Sequence, residues 1–423
     1  MKTFSILNLG CKVNAYEAEC VAEELEKRGM ERVSFDTGSD AVLIFTCAVT
    51  NTAAAKSRKM LHRAKRRNPD CTVVMAGCYA QVEDGAIDEA ELIIGSAHKK
   101  EIPDLLKQYE ETGEKIRVLD GLENPRFELL TSTRFEEKTR AYLKVQDGCD
   151  QYCTYCVIPF LRGHERSMEP DTAVRTAVEL SGRHSEIVLT GIHTGRYGKE
   201  HGVTLAQLMQ RILEASELKR LRISSIEVTE LTDEFLNTVE NSERIARHLH
   251  IPLQSGSDGV LKRMHRPYTT EQYYEMVQNI RKRIPDISIS ADLIVGFPGE
   301  TEEEFQETVE FLKKCGFSFL HVFPYSMRER TLAADMKDQV DPQVKKERAK
   351  VCAELSQELL HTYEEKWLGR EAVMIAEQYK DGVTTGYTSE YIAVEIPEEI
   401  ERGKEVKVIL EEITESGMRG RLL

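Results

Sequence analysis

No stretch of this chain approaches ~20 consecutive apolar residues, the length a helix needs to cross a bilayer, so no membrane span is expected. The opening residues, Met1 to Leu9, hold too short an apolar stretch for a signal peptide and read as a first strand, so a cytoplasmic protein is expected. Positive charge is also scarce. Lysine and arginine total 57 against 72 acids, a formal net charge of −15, so any RNA contact must rest on local basic patches. Ten cysteines in such a chain favour metal or redox chemistry over disulfides. The 423 residues, 41% hydrophobic and 30% charged, describe a soluble globular protein of two or three domains.

The run Gly148–Cys156 places Cys149, Cys153 and Cys156 in a C-x3-C-x2-C spacing with no fourth cysteine nearby. Structural zinc takes four protein ligands. Three thiolates suit a four-iron cubane better, because one iron is then left open for chemistry. The alternative is a zinc knuckle borrowing a distant ligand such as Cys315, about 160 residues on.

These three cysteines resemble the signature of the radical S-adenosylmethionine (SAM) superfamily, and the apolar run Ala141–Val145 leads straight into them. The resemblance implies that the open iron chelates SAM and that one electron cleaves it to a 5′-deoxyadenosyl radical. It also implies a cysteine loop after the first strand of a β/α barrel, at the end where barrel enzymes build their sites.

Residues 1 to about 125 alternate short apolar strands (3–8, 41–46, 72–77 and 92–95) with helical segments (15–28 and 53–67), which predicts a doubly wound parallel sheet. Cys11, Cys47 and Cys78 follow three of those strands, and in such a sheet the carboxyl ends of the strands share one edge. Cys20, Cys71, Cys315 and Cys352 read instead as small buried hydrophobes.

With Leu9–Glu19, Thr46–Arg58 and Ala76–Gln81 around them, Cys11, Cys47 and Cys78 resemble the methylthiotransferase family, which carries a second [4Fe-4S] cluster on three such cysteines. The form Gly10-Cys11-Lys12-Val13-Asn14 is similar to the branch acting on N6-threonylcarbamoyladenosine at position 37 of tRNA. The branches acting on isopentenyladenosine and on ribosomal protein S12 have Gln-Met-Asn and Pro-Lys-Asn after that cysteine. The resemblance implies methylthiolation of adenine C2, two [4Fe-4S] clusters and SAM. It further implies a tRNA partner, an electron donor such as flavodoxin or ferredoxin, and a monomer. Methylthiolation of an aspartate of S12 is the alternative. A non-catalytic metal-containing RNA-binding protein is the remaining one.

Domains are expected at 1–125, 140–365 and 366–423, with a linker at 126–139. The middle one offers six strand candidates (141–145, 186–190, 221–226, 248–252, 288–295 and 318–323), consistent with a partial (β/α)6 barrel. Gly191, Glu227 and Gly296 follow three of those strands, where the family surrounds SAM; each is either a ligand contact or an ordinary turn or rim residue. Arg162 or Arg166 either pairs with the SAM carboxylate or ion-pairs with an acid such as Glu165.

From Lys56 to Arg67 there are seven basic residues in twelve and no acid, a helix face near Cys47 suited to phosphates. Lys56, Arg58, Arg63, Arg66 and Arg67 are the RNA-contact candidates, with an ordinary solvated face as the alternative. Arg244, Arg247, Lys262, Arg263 and Arg266 form a weaker basic set near the barrel rim. The β-rich tail predicts a small five-stranded barrel resembling a TRAM domain, yet from Glu371 onward it carries twelve acids against six bases.

Overall fold

The computed structural model describes residues 1–82, 89–119, 122, 126–132, 135 and 139–423; the expected boundary at 125 and part of the expected linker fall outside them. The N-terminal layer comprises β1 (Thr3–Asn8), α1 (Lys12–Lys27), β2 (Glu31–Arg32), β3 (Ala41–Thr46), α2 (Asn51–Arg67), β4 (Thr72–Gly77), β5 (Leu92–Ile94), α3 (Ile102–Thr112) and β6 (Ile116–Val118). Its strands form one parallel sheet in the order β2-β1-β3-β4-β5-β6. The strand β3, Ala-Val-Leu-Ile-Phe-Thr, is buried along its whole length, as a central parallel strand covered on both faces must be. Both long helices start earlier than the apolar pattern suggests. Cys11 stands at the N-cap of α1, and the Thr50 hydroxyl caps α2 by accepting from Ala53 N.

The central unit runs β7 (Arg140–Lys144), β8 (Gln146–Asp147), α4 (Ile158–Arg162), β9 (Arg166–Ser167), α5 (Pro170–Ser181), β10 (Glu186–Thr190), α6 (Leu205–Ala215) and β11 (Arg220–Ile223). It continues with α7 (Asp233–Glu240), β12 (His248–His250), α8 (Asp258–Arg263), α9 (Thr270–Arg283), β13 (Ser288–Val295), α10 (Glu302–Cys315), β14 (Phe319–Pro324) and α11 (Pro342–Glu365). Two parallel three-stranded sheets, β7-β10-β11 and β12-β13-β14, are joined by a parallel bridge between Leu221 and Ile245. The six strands thus follow one another in chain order as an open barrel.

Leu249, Ile251, Ile289, Ala291 and Leu293 of the barrel wall pack outward under the helices. The alternate positions His248, His250, Ser290, Asp292 and His321 face inward and meet one another across the strands. A barrel interior is ordinarily filled by branched apolar side chains; this one is polar. Leu130 and Phe135, within the segment expected to be a linker, are buried in the same core as Tyr16 of α1 and Ala141 of β7.

The last 53 residues form a closed five-stranded barrel, with β15 (Glu371–Lys380), β16 (Val383–Thr388), β17 (Ala393–Ile396), β18 (Glu405–Thr414) and β19 (Gly417–Leu422) in the order β15-β16-β17-β19-β18. It sits at the entrance ends of the central strands. Arg220 and Arg222 of β11 donate to the carbonyls of Val373, Tyr387, Thr388 and Ser389, and Arg140 pairs with Glu377 at 2.8 Å. Some of the tail's acidity is therefore consumed in this interface. Arg419 and Arg421 pair within the small barrel, with Glu412 and Glu411. No helix among the described residues is long and apolar enough to cross a membrane.

Candidate active site

Because β1, β3 and β4 are neighbours in the N-terminal sheet, Cys11, Cys47 and Cys78 come to one edge. Asn14, one turn into α1, ties that edge together. Its Nδ2 donates to Thr46 O at 2.9 Å, and its Oδ1 lies 3.5 Å from Cys11 Sγ. Gly77 holds φ +99°, and a Cβ there would meet Asn14 at 2.9 Å and Thr46 O at 3.0 Å, so only glycine lets the chain reach Cys78 here. Burial, with further repulsion from Cys78 and Cys11, pushes the Cys47 thiol up to about 11.

The second set lies on the loop between β8 and α4. Gly148, at φ +73°, opens it, and a Cβ there would fall 2.0 Å from His164 O. Its far side is pinned by Thr154, whose N and Oγ1 donate to Met264 O and Arg263 O at 3.1 and 2.8 Å. Arg266 Nη1 donates to Cys153 Sγ at 3.2 Å and its other amine pairs with Glu227. Burial and the neighbouring Cys153 push the Cys156 thiol up to about 12.

Cys149 Sγ lies 3.4 Å from His193 Nδ1, and His193 Nε2 meets Glu230 at 2.6 Å. Burial opposes protonation of His193, but its bonds to Cys149, Glu165 and Glu230 raise it to about 12. Cys149, Glu165 and His193 together offer a metal ion three ligand atoms within 4.8 Å of one another.

Between the two sets lies a buried ionic network. Glu17 and Asp147 are its two carboxylates. Lys144 Nζ reaches them at 2.9 and 3.3 Å, Arg162 Nη1 at 3.1 and 3.0 Å, Lys99 reaches Glu17 at 3.3 Å, and Arg166 reaches Asp147 at 3.1 Å. Among the described residues, four cations thus pair with two carboxylates, and Glu128 also acts on Lys144. Uncompensated charge is costly at such burial, so the surplus asks for an anionic partner. Three thiolates on an iron–sulfur cluster are such a partner, and each triad leaves one iron of a cubane without a protein ligand. Both donor sets therefore fit the group. A cavity of about 230 Å³ opens beside Cys156, lined by Val49 and Thr50 just beyond Cys47, by Tyr155, and by Gln254, Asp292, Phe323 and Arg328.

The residues singled out from the sequence have these surroundings. Arg162 faces other side chains of the protein. It is fully buried, and its five N–H groups go to Cys78, Glu17, Asp147 and Asn14. Arg166 is committed to Asp147 and to the carbonyls of Arg162 and His164, not to Glu165. At Gly191 the close neighbour is the Gln146 side chain, and at Gly296 it is Lys345. Arg244, Arg247 and Arg263 are tied to backbone carbonyls and to Glu304 and form no free basic set.

Within the basic helix α2, Arg63 and Arg67 pair with Asp36, Arg58 donates to Tyr79 and Lys65 pairs with Glu91. Lys56, Lys59 and Arg66 are exposed and make no ion pair among the described residues. Cys20, Cys71, Cys315 and Cys352 are buried, and Cys315 belongs to the hydrophobic core under the barrel helices, which removes the zinc-knuckle alternative. Sequence reasoning misses Arg266 and Asn14 as partners of the cysteines. Asn14 stands three residues after Cys11, one helical turn, a spacing that carries the signal.

Residues 143–312 match the model of the radical SAM superfamily, and residues 3–95 match uncharacterized protein family UPF0004. A threonylcarbamoyladenosine tRNA methylthiotransferase, MtaB, of Bacillus subtilis is 41% identical over 93% of this chain and 90% of its own length. A tRNA-2-methylthio-N(6)-dimethylallyladenosine synthase of Moorella thermoacetica is 32% identical over 89% and 87%. Among solved structures, the radical SAM methyltransferase TsrM of Kitasatospora setae shares the fold with a TM-score of 0.55 at 13% identity, over 79% of this chain and 77% of that one.

Proposed function

The chain belongs to the radical SAM methylthiotransferases that act on threonylcarbamoyladenosine in tRNA, and from that premise we propose that it adds a methylthio group to C2 of N6-threonylcarbamoyladenosine at position 37. The adenine C2–H bond is strong and unactivated, and no general base removes its hydrogen at neutral pH. The [4Fe-4S] cluster and SAM of this family supply, when bound, the one-electron chemistry that such a bond requires.

Cys149, Cys153 and Cys156 would hold that cluster. Arg266 orients Cys153 by its hydrogen bond, and Glu227 fixes Arg266. Cys11, Cys47 and Cys78 would hold a second cluster, with Arg162 and Asn14 as their polar neighbours. The tRNA would approach over the exposed cations of α2, with its target base in the cavity. The electron donor would be a small redox protein such as flavodoxin or ferredoxin, and the enzyme would act as a monomer.

The observation that carries this reading is the cavity walled by both cysteine loops, because methylthiolation needs hydrogen removal and sulfur insertion at one carbon. S12 as substrate is less well supported. The acidic tail that suited it abuts the strand entrances, opposite the cysteines. A strain lacking this gene should accumulate threonylcarbamoyladenosine without its 2-methylthio form, read by mass spectrometry of tRNA nucleosides, while S12 keeps its mass. Unchanged nucleosides with a lighter S12 would reverse the assignment.

A further inference from the structure

Where the small barrel meets the central unit, at the strand entrances, a cavity of about 450 Å³ opens. Four segments wall it. Phe319 stands at the start of β14, Tyr363 and Glu364 in the last turn of α11, Tyr387 and Tyr391 on β16 and the turn after it, and Glu415 in the turn between β18 and β19. Among the described residues no lysine or arginine lines it. His361 is the one basic side chain there, and it is exposed and pairs with Glu365 at 3.4 Å.

Five glutamates are buried among the described residues. Four of them, Glu17, Glu23, Glu186 and Glu300, each pair with a cation at 2.6–3.0 Å. The fifth, Glu364, is 5% exposed, and its carboxylate has no ion pair or hydrogen bond among the described residues. It lines the cavity instead. Burial raises its pKa, opposed by His361. A partner is wanting in either protonation state: the ionised group lacks a counter-ion, and the neutral acid lacks an acceptor for its proton. Glu415 is exposed, lines the same cavity and makes no ion pair among the described residues.

Aromatic rings form much of the wall. Tyr387 and Tyr391 stack at 4.9 Å, Phe319 lies 6.0 Å from Tyr391, and Tyr363 is held by its hydroxyl, which donates to Asp286 O at 3.3 Å. Arg140 and Arg222 lie over Tyr387 and Tyr391, whereas no cation of the described residues lies over Phe319 or Tyr363.

We propose that this cavity binds an aliphatic polyamine, with one ammonium on Glu364 in its depth, the methylene chain along Phe319 and Tyr363, and a second ammonium at Glu415. An ammonium gives Glu364 a counter-ion and hydrogen-bond donors at once, and aromatic faces attract the same charge. A hard metal ion instead calls for about six to eight oxygen ligands, which rings cannot supply. Glu364 belongs to the central unit and Glu415 to the small barrel, so the bound amine bridges the two. The cavity shares no lining residue with the one beside Cys156, so the site stands apart from the cysteines and does not depend on which nucleoside is modified.

The test is calorimetric titration of the reconstituted full-length protein with spermidine at about 0.15 M salt, where long-range attraction to the acidic surface is screened, with and without excess magnesium as the charge control. Wild type should bind one spermidine per chain, and magnesium should not displace it. Glu364→Gln, which keeps the side chain's shape, should weaken binding about tenfold, the usual order for a hydrogen bond to a charged group. Glu415→Lys, at an exposed turn, should weaken it about threefold or more, and 5′-deoxyadenosine formation should be the same in both variants. Wild-type affinity in Glu364→Gln would overturn the proposal, as would the absence of saturable binding or its loss to magnesium. If Glu364→Gln is less stable than wild type without ligand, Glu415→Lys decides alone.

Discussion

Arg162 Nε donates to Cys78 Sγ at 3.3 Å, and the same guanidinium grips Asp147, two residues before Cys149, at 3.0 Å. One side chain therefore spans the two cysteine sets. Arginine suits this place because it offers five donors in a fixed fork, while lysine offers one compact charge. Arg162→Lys should keep a cation beside Glu17 and Asp147 but remove the fork. Iron per chain should fall from the N-terminal set, and urea unfolding should show a destabilisation of about 3 kcal/mol for a broken buried network. Full iron content with unchanged stability would remove this bridging role.

The two sets should be separable in function. Replacing Cys149, Cys153 and Cys156 by Ala should leave about four of about eight irons per chain, on the stoichiometry of two four-iron clusters. Replacing Cys11, Cys47 and Cys78 should leave dithionite-driven 5′-deoxyadenosine formation and stop methylthiolation. Loss of both activities in a folded variant that keeps its barrel iron would contradict the division.

The cations of α2 should differ in their effect on RNA. Lys56, Lys59 and Arg66 are exposed and without ion pairs among the described residues, whereas Arg63 and Arg67 share Asp36. Neutralising the first three should flatten the salt dependence of tRNA binding by roughly 0.7–0.9 of log–log slope for each phosphate no longer neutralised. Neutralising Arg63 and Arg67 should change it less. Equal slopes for wild type and the first variant would return α2 to an ordinary solvated face.

Acid should weaken the packing of the N-terminal sheet on the central barrel. Burial alone would raise Glu17, but Arg162, Lys144 and Lys99 bring it down to about 2. Asp147 is held well below its ordinary value by Arg162, Lys144 and Arg166, again against burial. A carboxylate depressed in the folded state contributes stability that is present above its unfolded value, near 4.5 for Glu17. That stability disappears as pH falls toward the folded value. Denaturant midpoints should therefore drop between pH 5 and about 2, and Glu17→Gln should flatten that drop while lowering stability at pH 7 by about 3–5 kcal/mol. A wild-type profile that Glu17→Gln leaves unchanged would show that these carboxylates titrate normally.

The sequence by itself determined the elements, because their signals are local. Strands β3, β4, β10 and β13 stand at the residues their apolar runs indicate, bounded by turn residues and cysteines. The gathering of Cys11, Cys47 and Cys78 at one sheet edge was legible too, since strand ends are features of the chain itself. What each polar side chain faces was decided only by the tertiary structure. Arg162 follows the cysteine loop by six residues and reads as a cofactor contact, yet its partners Asn14, Glu17 and Cys78 lie 84 to 148 residues away. The basic run of α2 reads as uniform, but Asp36, Tyr79 and Glu91 meet four of its seven cations across the sheet. The inward wall of the central barrel joins His250, Ser290, Asp292 and His321 from three strands, with Tyr391 of the small barrel stacked on His248. Long-range pairing of charges and hydrogen bonds has no period in sequence, so only the packed chain reveals which groups are matched and which stay free for a ligand.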